Sequence, residues 1–347
     1  MKKDITVQRK IDHIELCLNS NVNYTKSNGF DKYEFLHSAL TTVNYNSIGF
    51  ETLFFDKKIN FPFIISSMTG GAEESLQINR KLVEVANEIK VPIGLGSQRQ
   101  LLESMKFVET YKIFKKNSNN IPILANIGIS EVIALYQQNR LDEINRIIEI
   151  PEADGLYIHL NSAQELFQTE GNRDFSFMEE SIVELINKIS VPIIVKEVGN
   201  GICFQPAKVL LQLGIKGIDV SGSGGTNWQL VEMQRSKNIN NNFVEWGLPT
   251  SYCVRTVSEL KKDHEFYLIA SGGIKNGIDI AKSFALGADF AAMANVILQS
   301  VIKDGVNSTI KLIFNWFEDV KRIMLLTNSS SIKDLRNNKL IKIEDMF

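Results

Sequence analysis

Eight short, nearly continuous apolar segments recur along the chain, each ending in small or polar residues. They are FPFIISSM at 61–68, VPIGLGS at 91–97, IPILANIG at 121–128, GLYIHLN at 155–161, VPIIVKEV at 191–198, GIDVSG at 217–222, FYLIASGG at 266–273 and ADFAAMA at 288–294. Runs of this length without polar alternation are how strands buried on both faces read. Four of them open beside a proline, Pro62, Pro92, Pro122 or Pro192. Proline at a strand's first position costs no ladder hydrogen bond.

The stretches between these segments are patterned as helices. In 276–286, Ile280, Ala281, Phe284 and Ala285 form one face, and Gly287 follows where a helix ends in left-handed backbone. Residues 206–213 followed by Gly214 repeat the device. Strands alternating with helices give a parallel α/β sheet, and eight strands close a barrel. The rival, an open doubly wound sheet, lacks an early strand–GxGxxG–helix unit here. The sequence therefore predicts one α/β domain over 1–347, a (β/α)8 TIM barrel. Residues 1–60 form an N-terminal extension, 61–306 the barrel core, and 307–347 a long helix and a short tail. A long insertion after the sixth strand contains KNINNN at 237–242. It is expected as an exposed loop, either a lid over the site or a surface loop without a role.

Composition narrows the function classes. A formal net charge of -2 over 347 residues provides no bulk basic field for nucleic acid or an anionic membrane. The three cysteines, Cys17, Cys203 and Cys253, are widely spaced and form no CxxC, which disfavours a disulfide framework or zinc site and suits the cytoplasm. The first residues are cut by charges and do not read as a signal peptide, and no apolar run has membrane-spanning length.

In a barrel of this kind the site lies at the C-terminal strand ends. Those ends carry a ring of polar residues: Ser67, Met68 and Thr69; Ser97, Gln98 and Arg99; Asn126; His159, Asn161, Gln164 and Glu165; Lys196 and Glu197; Ser221 and Thr226; Ser271, Gly272 and Gly273. Capping explains one such end more easily than nearly all of them. Gly272, Gly273 and Ile274 with Ala294 and Asn295 suit a phosphate held by backbone N–H groups, with a helix start near Asn276 adding a favourable dipole; a plain tight turn is the alternative. The glycines of 219–228 (DVSGSGGTNW) make a second anion nest or a flexible loop.

Lys196 interrupts a buried strand, and a buried ammonium needs a partner or a task. It could form a Schiff base, steady negative charge on a cofactor ring, or pair with an acid. Glu197 is a poor partner, since adjacent strand residues face opposite sides. Glu165 could hold Mg2+ together with substrate phosphates, or simply face a helix dipole. Arg9 and Lys10, with Asp12 and His13, could clamp a diphosphate opposite Arg99, or form a solvated charged terminus.

Taken jointly, the motifs resemble the FMN-dependent, type 2 isopentenyl diphosphate isomerases nearly end to end. The strings are RKIDHI at 9–14, SSMTGG at 66–71, GSQR at 96–99, ANIG at 125–128, HLNSAQE at 159–165, KEVGNGI at 196–202, DVSGSGGTNW at 219–228, WGLPT at 246–250 and SGGIKNG at 271–277. The resemblance implies an FMN-binding (β/α)8 barrel that interconverts isopentenyl and dimethylallyl diphosphate in isoprenoid biosynthesis. It implies Mg2+, reduced flavin with NADPH as the reductant, and a homo-oligomer, tetramer or octamer. Carried over by residue, FMN contacts fall on Ser67, Met68, Thr69, Ser97, Asn126, Lys196, Ser221 and Thr226, with the phosphate on Gly272, Gly273, Ile274, Ala294 and Asn295. The diphosphate falls on Arg9, Lys10, Ser97, Gln98 and Arg99, with His159 and Asn161 near. Gln164 matches the substrate-facing glutamine and Glu165 the Mg2+ ligand. Gln164, Lys196 and His159 are the implied catalytic groups. Lys275 departs from the pattern, standing where arginine is common.

Two other functions remain open from sequence. One is an FMN-dependent α-hydroxy-acid oxidase or dehydrogenase, which needs a late-strand histidine and arginine; His264 lies before the seventh strand with no HGxR string. The other is a non-catalytic flavin-binding barrel, which leaves Arg9, Lys10, Gln164 and Glu165 without a task.

Overall fold

The structure is a computed structural model. It describes residues 2–346 apart from 69, 119 and 338, and their side chains apart from those of residues 2–7 and Glu74. Thr69, expected at the flavin, lies outside the described residues.

Eight parallel strands close a barrel: β1 (Phe63–Ile65), β2 (Ile93–Gly94), β3 (Ile123–Gly128), β4 (Gly155–His159), β5 (Ile193–Lys196), β6 (Gly217–Asp219), β7 (Tyr267–Ala270) and β8 (Phe290–Met293). Each falls inside one of the eight apolar segments. They are shorter than the segments because the polar ends turn away to form loops. Alternation divides every strand. Ile64, Leu124, Tyr157, Ile194, Ile269 and Ala292 fill the barrel interior. Phe63, Ile65, Ile123, Ala125, Leu156, Ile158, Ile193 and Val195 face the helices, in the larger core cluster. Burying both faces is what requires the continuous apolar runs.

The two mouths are treated differently. At the N-terminal mouth, an antiparallel hairpin of Thr52–Phe54 and Lys57–Ile59 inserts Phe54 and Ile59 beneath the interior layer. Lys57 ties it to Asp154, just before β4, at 2.7 Å. At the C-terminal mouth lies the helix Lys2–Asn19. Chain beyond it crosses the insertion after β6: Tyr24 Oη donates to Trp246 O at 2.8 Å and Thr25 Oγ1 to Glu245 Oε1 at 2.8 Å.

The insertion holds more order than its polar sequence suggests. It contains the helices Trp228–Ser236 and Thr250–Ser258, with 237–243 exposed between them. After the helix Val306–Leu326 the chain does not simply trail off, since Leu340–Lys342 pairs antiparallel with Tyr33–Phe35. Among the described residues no helix is long and apolar enough to cross a membrane.

Candidate active site

The period of two that places Tyr157 and Ile194 inside the barrel places His159 and Lys196 inside as well, one layer nearer the mouth. His159, Lys196 and Asp219 stand side by side in register across β4, β5 and β6. Above them opens a cavity of about 450 Å³. Its wall includes Ser67, Met68, Ser97, Asn126, Ser221, Thr226, Gly272, Gly273, Ile274, Ala294 and Asn295, together with Arg9, Lys10, Arg99, His159, Asn161, Gln164, Glu165 and Lys196.

On the β6–β8 side the wall is backbone. Gly272 and Gly273 have φ of 96° and 71°. Their turn is pressed against 222–225 so tightly that a Cβ at 273 would fall 2.4 Å from the carbonyl carbon of Gly224. Only glycine combines left-handed backbone with that approach. The N–H groups of Gly272, Gly273 and Ile274 meet no acceptor among the described residues. The helix Asn295–Lys303 starts beside them, and its first N–H groups are unpaired by helix geometry. The helix near Asn276 contributes less than its sequence suggests, because Asn276 caps Asp279 N at 2.9 Å and Asp279 takes Lys275 N at 3.1 Å. Ser221, the residue after Val220, is held at φ 37°, a conformation uncommon outside glycine.

Lys196 is 7 % exposed, and its Nζ donates to Glu197 O at 2.8 Å. Burial pulls its pKa down, while the charges of Asp219 and Glu197 pull it back up. The Glu197 carboxylate itself faces away and accepts N–H bonds from Val198, Gly199 and Asn200. The strand pleat thus gives Lys196 a carboxylate neighbour across the ladder, Asp219, which Ser271 Oγ also binds.

The tautomer of His159 is fixed by its neighbours. Asn126 Nδ2 donates to Leu95 O at 2.9 Å, which turns Asn126 Oδ1 toward His159 Nδ1 at 2.9 Å. Nδ1 must carry the proton, leaving Nε2 as an acceptor. Burial, with the charges of Lys196 and Arg9, holds the ring pKa at about 3, so the imidazole is neutral at physiological pH.

The opposite wall is charged. Arg99 Nη1 meets Glu131 Oε1 at 2.9 Å, and Arg9 reaches Glu170 at 3.7 Å. Asn161 Nδ2 donates to Glu165 Oε1 at 3.1 Å. Gln164 Nε2 donates to Glu232 Oε1 at 3.0 Å, and the same carboxylate accepts from His13 Nε2 at 2.8 Å and Arg235 Nε at 2.8 Å. Burial alone would raise the Glu232 pKa; hydrogen bonds from His13 and Gln164 and the charge of Arg235 outweigh it and hold the carboxyl at about 2.

These features sit in a molecule with close relatives. Residues 128–342 match the model of the FMN-dependent dehydrogenase family. The chain is 38% identical over 353 residues to the isopentenyl-diphosphate delta-isomerase of Chlorobium phaeobacteroides, covering 97% of this chain and 96% of the relative. It is 39% identical over 340 residues to that of Rickettsia canadensis, covering 96% and 97%. The chain belongs to the isopentenyl-diphosphate delta-isomerase family. The barrel itself is shared more widely. The flavin-binding domain of baker's yeast flavocytochrome b2 superposes with a TM-score of 0.68 at 16% identity, over 98% of this chain and 91% of that one. A lactate oxidase from Pediococcus acidilactici does so with 0.66 at 15%, over 99% and 93%.

The fit of an FMN-type ligand to this member of the isomerase family can be tested on its own atoms. Ser67 Oγ, Asn161 Oδ1 and Asn295 Oδ1 are buried side-chain atoms of the cavity wall that take no hydrogen bond among the described residues, and each unmade bond costs free energy until a ligand supplies a partner. With the open N–H groups at 272–274, they suit a polar, phosphate-bearing molecule.

Two expected substrate contacts are placed differently. Gln98 does not reach the cavity. It is fully buried, and both ends of its amide are engaged, donating to Ile147 O at 2.7 Å and accepting from Asn126 N at 2.9 Å. Lys10 reaches the wall, but its ammonium already serves Gly70 O, Ser97 O at 3.0 Å and Tyr111 Oη at 3.3 Å. It straps the N-terminal helix to the loops after β1 and β2. Burial, then the charges of Arg9 and Arg99, lower its pKa to about 7. Glu131 and Glu232 belong to the site without standing at a strand end or in one of the motifs. Glu131 follows the end of β3 and had a positional signal. Glu232 lies mid-helix in the insertion and had none.

Proposed function

We propose that the protein interconverts isopentenyl and dimethylallyl diphosphate, adding a proton at one carbon and removing one from another without net redox change. The observation that carries this reading is the union, in one cavity, of a backbone phosphate cradle at β7–β8 with a separate basic wall of Arg9 and Arg99 beside Glu165. One ligand of each kind can be held at once.

The cradle of Gly272, Gly273, Ile274, Ala294 and Asn295 would hold the FMN phosphate, and Ser67, Met68, Ser97, Asn126, Lys196, Ser221 and Thr226 would line the rest of the cofactor. When bound and reduced by NADPH, FMN would supply an electron-rich ring able to steady positive charge on the alkene and to exchange a proton with it. The buried Lys196 Nζ, an N–H donor, would favour negative charge on that ring. Arg9 and Arg99 take the diphosphate through charge-assisted hydrogen bonds, and Arg99 gives up part of its bond to Glu131 to do so. Glu165 and the free Asn161 Oδ1 are oxygen donors suited to Mg2+, which needs only one or two protein ligands when phosphates complete its shell. His159 offers an acceptor at Nε2. Gln164, fixed by Glu232, holds or passes a proton near the alkene.

The hydroxy-acid oxidase reading needs a histidine base in the site. His264 precedes β7 at the far mouth and does not line the cavity, His13 is spent on Glu232, and His159, which does line the cavity, is held at about 3 and is too weak a base for that step. The test is an anaerobic assay of isopentenyl diphosphate with FMN, Mg2+ and NADPH, each omitted in turn. Dimethylallyl diphosphate should form only with reduced FMN and Mg2+ present. Steady turnover of a 2-hydroxy acid with oxygen, and none of isopentenyl diphosphate, would overturn the reading.

A further inference from the structure

The helix Ser162–Phe167 divides by helical period into two stripes. Leu166 and Phe167 turn to a separate groove that also holds Phe175, Phe243 and Trp246. Asn161, Gln164, Glu165 and Gln168 turn to the main cavity. Their spacing of three, one and three residues is that of a single helix face. Main-chain bonds carry the helical course through both ends: Glu165 N to Asn161 O at 2.8 Å and Gln168 N to Gln164 O at 2.9 Å.

The first three members of the stripe have partners. Asn161 donates to Glu165, Gln164 donates to Glu232, and Glu165 Oε2 accepts from Asn172 N at 2.7 Å. Gln168 has none. It is 2 % exposed, its Nε2 is buried without an acceptor, and no hydrogen bond forms at the other end of the amide among the described residues. A buried amide left unpaired destabilises the fold, and methionine or leucine would fill the same space without that cost. An amide kept idle on the wall of a binding cavity is a group waiting for a ligand. One turn along from Glu165, and on the same face, the ligand it meets is the one Glu165 meets.

We propose that Gln168 is a further substrate-binding residue, whose amide donates to an oxygen of the Mg2+-bound diphosphate. This rests on the isomerase reading above. It gives the binding face four members, Asn161 and Glu165 at the metal and two amides, Gln164 between them and Gln168 one turn beyond, at the substrate.

Gln168→Met tests it in the FMN-loaded protein, because it keeps length and apolar bulk and removes only the amide. Calorimetric titration with Mg2+ and inorganic pyrophosphate is the probe, with Arg99→Ala as control. The variant should melt at or above the wild-type temperature and bind FMN equally well. Its pyrophosphate dissociation constant and its KM for isopentenyl diphosphate should each rise about tenfold, the loss of one hydrogen bond to a charged group. Unchanged pyrophosphate affinity, or a lowered melting temperature with unchanged affinity, would overturn the assignment. If wild type and Arg99→Ala bind pyrophosphate alike, the isomerase reading of the basic wall fails first, and the two failures are thereby distinguished.

Discussion

Replacing Glu232 by glutamine removes the one negative charge that His13, Gln164 and Arg235 share. Glu232 is fully buried, and its three partners come from the N-terminal helix, the helix after β4 and its own helix in the insertion. An amide can accept at one end only and must present N–H to at least one of these donors. The carboxyl is held at about 2 against an ordinary 4.5. That difference corresponds to about 3 kcal/mol at neutral pH. Unfolding entropy of about 2 cal/mol/K per residue, over 347 residues, turns this into a melting temperature about 4 °C lower. The sign in pH follows from the depressed value: the stabilisation is complete above 4.5 and disappears as pH falls toward 2. Wild type and variant should therefore differ most near neutrality and converge in acid. Gln164 also loses the acceptor that aims it, so kcat should fall about tenfold while FMN affinity holds, in line with the loss of a charge-assisted bond. Calorimetry from pH 3 to 8 and steady-state kinetics on FMN-loaded protein check both. A variant with the wild-type melting curve and kcat would refute the claim that this carboxylate organises the site.

Gly273→Ala forces a Cβ to within 2.4 Å of Gly224 at a φ of 71°; FMN affinity measured by fluorescence should drop about tenfold or more, since left-handed backbone alone costs about 1–2 kcal/mol for alanine. Arg99→Ala and Arg9→Ala should each raise KM for isopentenyl diphosphate by about ten- to a few hundred-fold with an unchanged flavin spectrum; a normal KM in Arg9→Ala would return that residue to a surface role. Gln164→Ala should lower kcat at an unchanged Mg2+ requirement, whereas Glu165→Gln should shift the Mg2+ titration to higher concentration and recover in excess metal. Overlapping titrations for those two variants would defeat the division between them.

The barrel was legible because its strands are buried twice. Nothing polar can be afforded in a run such as Ile193–Lys196 until the strand leaves the core, so strand ends announced themselves, and Lys196 stood out for the same reason. What the sequence hid depended on distant pairing or on the fate of single atoms. Leu340–Lys342 is three residues long and reads as a tail until Tyr33–Phe35 is beside it. Glu232 sits in an exposed-looking run, VEMQRS, and its burial comes from elements distant in sequence, the helix after β4 and the N-terminal helix, that pack on its own helix. Gln98 stood between two cavity residues and was grouped with them, yet it points to Ile147 O. Gln168 lay three residues beyond a recognised motif, and its helical period was available but its unpaired amide was not.

The central claim is that one proton is gained and another lost over a reduced flavin that is not consumed. Anaerobic incubation of isopentenyl diphosphate with the FMN-reduced protein and Mg2+ in D2O, followed by proton and deuterium NMR with the flavin spectrum recorded in parallel, tests it directly. The account predicts dimethylallyl diphosphate carrying solvent deuterium, many turnovers per flavin, and a spectrum that stays reduced. Flavin that oxidises in step with substrate loss, or product without solvent deuterium, would contradict it.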